Sequence, residues 1–210
     1  MAATLASKPP VPLRLAADAV LLTIDVQKGF DQFPGRNNPA VIGNIAVLQR
    51  AWRDAGRLPW HVRHDSTEPR SVFRPGEPGN AFQPETQPAP GEPVIPKSVH
   101  SAFIGTDLDA RLIRDGRTTL VLCGIQTNYC VATTARMAGN LGYTTYVVGD
   151  ACATFPQRLL DGREVDATVA HDLALAELHG EFATVVATAD VVDALRGTVA
   201  NQQSRPVPSA

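Results

Sequence analysis

Cys130 lies in the run Gly124-Ile125-Gln126-Thr127-Asn128-Tyr129-Cys130-Val131, between an apolar strand expected over Thr118–Cys123 and a helix expected over Thr127–Leu141. This spacing puts the thiol in the first turn of the helix. Unpaired N–H groups and the helix dipole there favour negative charge, and a thiol so placed ionises below its ordinary pKa. Such a sulfur can attack a carbonyl carbon. Attack requires a base for the thiol proton, and Asp25 ends an apolar run, Ala19-Val20-Leu21-Leu22-Thr23-Ile24, that reads as a buried strand. Lys97 follows another short run, Val94-Ile95-Pro96, and an ammonium favours both a thiolate and a carboxylate beside it. Together the three suffice for covalent acyl transfer. Each also has an ordinary reading: a small buried hydrophobe for the cysteine, a cap for the aspartate, a solvated loop charge for the lysine. Cys123 and Cys152 fit the first of these.

The elements that would position these residues alternate along the chain. Strands are expected at Ala19–Asp25, Leu58–Val62, Pro93–Ile95, Thr118–Cys123, Tyr143–Asp150 and Phe182–Ala187; helices at Asn38–Ala55, Asp107–Arg114, Thr127–Leu141, Asp161–His179 and from Ala189 to Leu195. Alternation at this spacing implies parallel strands joined by right-handed crossovers, an α/β three-layer sandwich. Ligands in such sheets bind beyond the carboxyl ends of the strands, where Asp25, Lys97 and Cys130 all fall. His64 to Pro93 breaks the rhythm with seven prolines and three glycines, and reads as an unstructured lid or an oligomer arm. Residues 16–200 are expected to form one domain, and Asn201 to Ala210 a disordered tail.

The chain has 210 residues, a formal net charge of −2 and three cysteines without CxxC spacing. That balance offers no basic surface for nucleic acid or an acidic membrane, and no disulfide framework. No apolar run is long enough to span a bilayer, and Met1 to Leu15 reads poorly as a signal peptide, so a cytoplasmic location is expected. Neither G-x-G-x-x-G after a strand, nor a Walker-type loop, nor a G-x-S-x-G elbow occurs, which removes support for dinucleotide binding, phosphate-loop chemistry and serine hydrolysis.

Three ordered segments, Leu21-Leu22-Thr23-Ile24-Asp25-Val26-Gln27-Lys28-Gly29-Phe30, Lys97-Ser98-Val99-His100-Ser101-Ala102-Phe103 and Gly124 to Val131, resemble the signature segments of the isochorismatase-like cysteine hydrolase family. The likeness continues through Thr133-Thr134-Ala135-Arg136, Asp150-Ala151 and Leu178 to Ala183, and spans about Val20 to Val186. It implies a six-stranded, mostly parallel sheet and an Asp25-Lys97-Cys130 triad. It also implies a cis peptide at Ile125-Gln126, and an oxyanion hole made by the backbone N–H groups of Gln126 and Cys130. The implied activity is hydrolysis of a C–N bond, in an amide, carbamoyl compound or lactam, through a thioester. A vinyl ether hydrolase and a non-catalytic binding or redox-sensing homologue are the alternatives. Isochorismatases proper typically lack the cysteine, and Val62 stands where the Asp of the nicotinamidase metal pair would fall. No metal or other cofactor is therefore expected, and metal-independent carbamoylsarcosine, maleamate and streptothricin hydrolases look closer. The implied partners are a small-molecule substrate and further copies of the chain, as a homodimer or homotetramer.

Phe30, Phe33 and Phe103 flank the three segments and are candidates to hold a flat amide, with the protein core as the other reading for each. His64 is a candidate pocket wall. His61 and His64, three apart on a strand, should point apart rather than share a ligand.

Overall fold

The computed structural model describes residues 13–203. Among the described residues, eight strands and five α-helices follow one another: β1 (Val20–Ile24), α1 (Val41–Asp54), β2 (Trp60–His64), β3 (Val94–Lys97), α2 (Leu108–Arg114), β4 (Thr119–Ile125), α3 (Ala132–Asn140), β5 (Thr144–Ala153), β6 (Gln157–Arg158), β7 (Glu164–Val165), α4 (Ala167–Leu178), β8 (Thr184–Val186) and α5 (Thr188–Gln203). Six strands form one sheet in the order β3-β2-β1-β4-β5-β8, and every neighbouring pair in it is parallel. Buried on both faces, such a sheet takes continuous apolar strands. Accordingly every residue of β1 and of β4 is buried.

From β1 the chain winds outward through β2 to β3, then returns to the other side of β1 for β4 and winds on to β5. Right-handed crossovers in opposite directions put α1 and α3 on opposite faces. α5 packs with α1, and α4 with α3, which completes the three layers. Val41, Ile45, Leu48 and Trp52, at helical spacing, are the buried stripe of α1. Pro96, which cannot donate to a ladder, sits on the edge strand β3. No described helix is long and apolar enough to cross a membrane.

Several boundaries differ from the sequence expectation. The helix expected from Asp161 begins at Ala167, where the Asp166 carboxylate accepts from the Thr168 N–H; the residues before it form an antiparallel β6–β7 hairpin. Two-residue strands carry no readable period. α5 runs to Gln203, and residues 204–210 of the tail expected from Asn201 lie outside the described residues.

The segment expected to be unstructured, 64–93, is instead tied to the domain. It contains short 3-10 turns at Pro78–Asn80 and Pro84–Thr86. Asn80 Nδ2 donates to the carbonyls of His64 and Phe73 and to Asp65 Oδ1, at 2.8–3.0 Å. The Asp65 N–H bonds the Lys97 carbonyl at 2.7 Å, and the Gln83 N–H the Val26 carbonyl at 3.0 Å. Prolines set φ in advance and lower the entropy lost in ordering such a segment.

Glu92, near the end of this segment, joins it to the core. Its carboxylate accepts from Arg53 at 2.6 and 2.9 Å, from the Ala89 N–H at 2.8 Å, and pairs with His61 Nε2 at 2.8 Å. His61 Nδ1 meets Thr23 Oγ1 at 3.1 Å. Replacing Glu92 by alanine leaves the fully buried imidazole and an amide without their acceptor. We expect Glu92→Ala to lose about 3 kcal/mol of stability; a urea midpoint within error of the parent would contradict this role.

Candidate active site

Strand order reverses between β1 and β4, so the crevice beyond their carboxyl ends is the place where this fold binds ligands. Asp25 stands at the end of β1 and Cys130 in the turn after β4. The two strands approach closely there because residue 124 is a glycine: its φ is +137°, and a Cβ would lie 2.0 Å from the Ile24 carbonyl oxygen. Asp25 itself has a φ of +54°, a left-handed conformation that aspartate tolerates better than most residues. It turns the chain out of β1 under the ladder bond from the Asp25 N–H to the Val62 carbonyl.

Lys97 ends β3, two strands away from β1. At ordinary strand spacing that is roughly 10 Å, and a side chain of lysine's length closes the gap across the width of β2. Its ammonium lies 2.6 Å from Asp25 Oδ2 and 3.3 Å from Cys130 Sγ, and donates to the Val99 carbonyl at 3.1 Å. Asp25, Lys97 and Cys130 are all buried, and Cys130 retains 8% exposure. The three expected residues thus come together around one ammonium. Lys97 is the sole ion-pair partner of Asp25 among the described residues.

The electrostatics of the thiol differ from the sequence expectation. Burial first, and the charge of Asp25 second, push the Cys130 thiol well above the ordinary range, and Lys97 offsets only part of this. Residues 127–131 form a π-type turn ahead of α3, so the dipole of a helix start is outweighed by desolvation. For Lys97, burial favours the neutral amine, but Asp25 and Cys130 together hold its pKa above the usual value.

Two histidines face this centre. His64 Nδ1 lies 3.4 Å from Lys97 Nζ; burial, and then the Lys97 charge, lower its pKa. Gln27 grips the His64 backbone from both sides, its Oε1 accepting from the N–H at 2.9 Å and its Nε2 donating to the carbonyl at 3.1 Å. His100, which is exposed, brings Nδ1 to 3.5 Å from Cys130 Sγ and stacks on Tyr129 at 5.7 Å. His61 points away to Glu92, as strand alternation requires. His171, on α4, meets Thr127 Oγ1 at 2.8 Å and so supports the turn that carries Cys130.

Phe30, Phe33, Phe73 and Phe155 form one aromatic group, with ring centroids 4.6–6.3 Å apart. Phe73 also meets His64 edge-on at 6.2 Å, which connects the group to Lys97. Its ring lies over Gly29, where a Cβ would meet it at 2.5 Å. Phe33 is half exposed at 47%, whereas Phe30 is buried. Phe103 packs in the core and stacks on Tyr143 at 5.7 Å, its core reading. Phe155 carries no local signal in sequence, since it follows β5 in a stretch without period; only the pairing of β5 with β4 brings it near.

The Ile125–Gln126 peptide is cis. Among the described residues the Gln126 N–H donates to no other group, and the Gln126 side chain accepts from Thr154 Oγ1 at 3.3 Å. No group of three His, Cys, Asp or Glu side chains among the described residues is arranged to hold a metal ion.

The isochorismatase domain model matches residues 19–190. The chain belongs to the isochorismatase family. An uncharacterised isochorismatase family protein of Bacillus subtilis, YrdC, is 39% identical over 175 residues, covering 82% of this chain and 94% of the relative. A streptothricin hydrolase of Streptomyces noursei is 35% identical over 137 residues, 64% of this chain and 49% of the relative. The ureidoacrylate amidohydrolase RutB of Variovorax paradoxus is 30% identical over 182 residues, 68% of this chain and 71% of the relative. Among solved structures, a hydrolase of the isochorismatase family from Chromobacterium violaceum superposes with a TM-score of 0.86 at 45% identity, covering 90% of this chain and 99% of that one. This isochorismatase-family hydrolase therefore shares its fold with a solved structure of the same family.

Proposed function

We propose that this hydrolase cleaves a C–N bond of a small amide, carbamoyl compound or lactam through a thioester on Cys130. The observation that carries the reading is the Lys97 ammonium, which bridges Asp25 Oδ2 and Cys130 Sγ at 2.6 and 3.3 Å. Cys130 Sγ attacks the carbonyl carbon while Asp25 accepts the thiol proton. Lys97 stabilises the thiolate as it forms. The carbonyl oxygen gains charge against the N–H groups of Gln126 and Cys130, a reading supported by the Gln126 N–H having no other acceptor among the described residues. Asp25 returns its proton to the departing nitrogen, which leaves as ammonia or an amine, and water then hydrolyses the thioester. The names of two relatives, streptothricin hydrolase and ureidoacrylate amidohydrolase, agree with C–N chemistry.

A panel of primary amides, carbamoyl compounds and lactams tests the proposal, read by release of ammonia or acid and by intact mass. We expect turnover of at least one class, with an acyl adduct on Cys130 that is absent from Cys130→Ala. Turnover retained in Cys130→Ala would exclude the mechanism. No turnover together with an oxidised, readily reduced Cys130 would favour a redox sensor.

The aromatic group is the proposed wall for the substrate's flat part. Phe73→Ala removes the ring that joins this wall to His64. For the best substrate we expect KM to rise about tenfold with kcat within about twofold, the loss of one aromatic contact worth roughly 1.5 kcal/mol. An unchanged KM would place the substrate elsewhere.

A further inference from the structure

We propose that His100 is a second general base, which serves hydrolysis of the thioester while Asp25 serves its formation; this rests on the acyl-enzyme reading above. The two groups meet Cys130 from different surroundings. The Asp25 side chain is 1% exposed and paired with Lys97, and an acyl group on Sγ would stand between it and solvent. His100 is exposed, and its Nδ1 is 3.5 Å from Sγ. The water that attacks a thioester carbonyl comes from solvent, so it meets the imidazole before the carboxylate. The ring has a defined plane: it stacks on Tyr129, whose hydroxyl donates to Gln157 Oε1 at 2.8 Å, while Gln157 Nε2 donates to the Phe155 carbonyl at 2.9 Å.

His64 is a poorer choice. Its Nδ1 faces the Lys97 ammonium at 3.4 Å, and a fixed positive charge there opposes taking up a proton.

The step balances without a further reagent. Water adds to the thioester carbonyl carbon as its proton passes to His100 Nδ1. The tetrahedral intermediate then collapses, the C–S bond breaks, and Sγ recovers a proton from the imidazolium. The acid is released and the thiol restored.

The acetyl-enzyme made with p-nitrophenyl acetate, freed of excess ester by gel filtration, tests this directly. Its decay is followed by intact mass in the parent and His100→Ala proteins, and its formation by the burst of p-nitrophenolate. In His100→Ala we expect decay to slow about 100-fold, the scale of one general base, while the burst rate stays within about twofold of the parent. Added imidazole should restore decay in that variant. An unchanged decay in His100→Ala overturns the inference and leaves the thioester reading intact. Slow decay without imidazole rescue shows a structural role and overturns it as well. No burst and no acetylated Cys130 in any of the proteins overturns both readings.

Discussion

Asp25→Asn is expected to separate the reactivity of Cys130 from turnover. The variant keeps the shape of the side chain but can neither take the thiol proton nor return one to a departing nitrogen. General acid–base catalysis of this kind contributes about 10²–10⁴-fold, and we expect kcat/KM on the best amide to fall about 10³-fold, roughly 4 kcal/mol of transition-state stabilisation. The thiol should respond in the opposite direction. In the parent, burial and the negative charge of Asp25 raise its pKa, while Lys97 lowers it. Removing the Asp25 charge deletes an upward push and leaves the ammonium 3.3 Å away, so more thiolate is present at neutral pH. Alkylation of Cys130 by iodoacetamide at about pH 7 should therefore become about tenfold faster in Asp25→Asn, one pKa unit's worth, as hydrolysis is lost. Alkylation as slow as in the parent, or hydrolysis within tenfold of it, would contradict the roles assigned to Asp25 and Lys97.

Gly124→Ala is expected to prevent folding to the native state. Its φ of +137° is closed to residues with a Cβ, and that Cβ would sit 2.0 Å from the Ile24 carbonyl oxygen and 2.8 Å from Ile24 N and C. All three are backbone atoms of the neighbouring strand. The pairing of Ile24 with Gly124 and Leu22 with Leu122 holds them in place, so relief means opening the ladder between β1 and β4. We expect a loss above about 4 kcal/mol, a large share of the roughly 5–15 kcal/mol typical of a domain, read as insoluble expression or a lost unfolding transition. Gly142→Ala provides the control. That glycine has a φ of +89°, and a Cβ added to it would meet nothing within 4 Å, so its cost should stay near about 1–2 kcal/mol. A soluble Gly124→Ala protein with the parent's urea midpoint would remove the close-approach argument.

The consequence reaches the site. Asp25 and Cys130 meet because the strands carrying them converge at this glycine, so the packing rule and the chemistry share one residue.

By itself the sequence determined what depends on neighbours along the chain. The six strands of the sheet and the helices between them were legible because a strand buried on both faces is a continuous apolar run, as in Val20–Ile24, and an amphipathic helix carries a 3.6-residue stripe, as in Val41 to Trp52. The positions of Asp25, Lys97 and Cys130 beyond strand ends were legible for the same reason. What only the tertiary structure decided depends on groups far apart in sequence. Lys97 on β3 reaches Asp25 at the end of β1 across the width of β2, and no spacing along the chain encodes that distance. The ionisation of Cys130 does not follow from its local turn, because desolvation by the surrounding core raises the thiol's pKa against the pull of a helix start. His61 and His64 look equivalent as letters, yet one is locked to Glu92 and the other faces Lys97. The Pro-rich 64–93 segment has no period to read; its order comes from Asn80, Asp65 and Gln83 bonding to chain segments elsewhere. Local pattern sets which elements form and where the reactive side chains emerge. Charge, burial and partners are properties of the assembled volume, and they decide what those side chains can do.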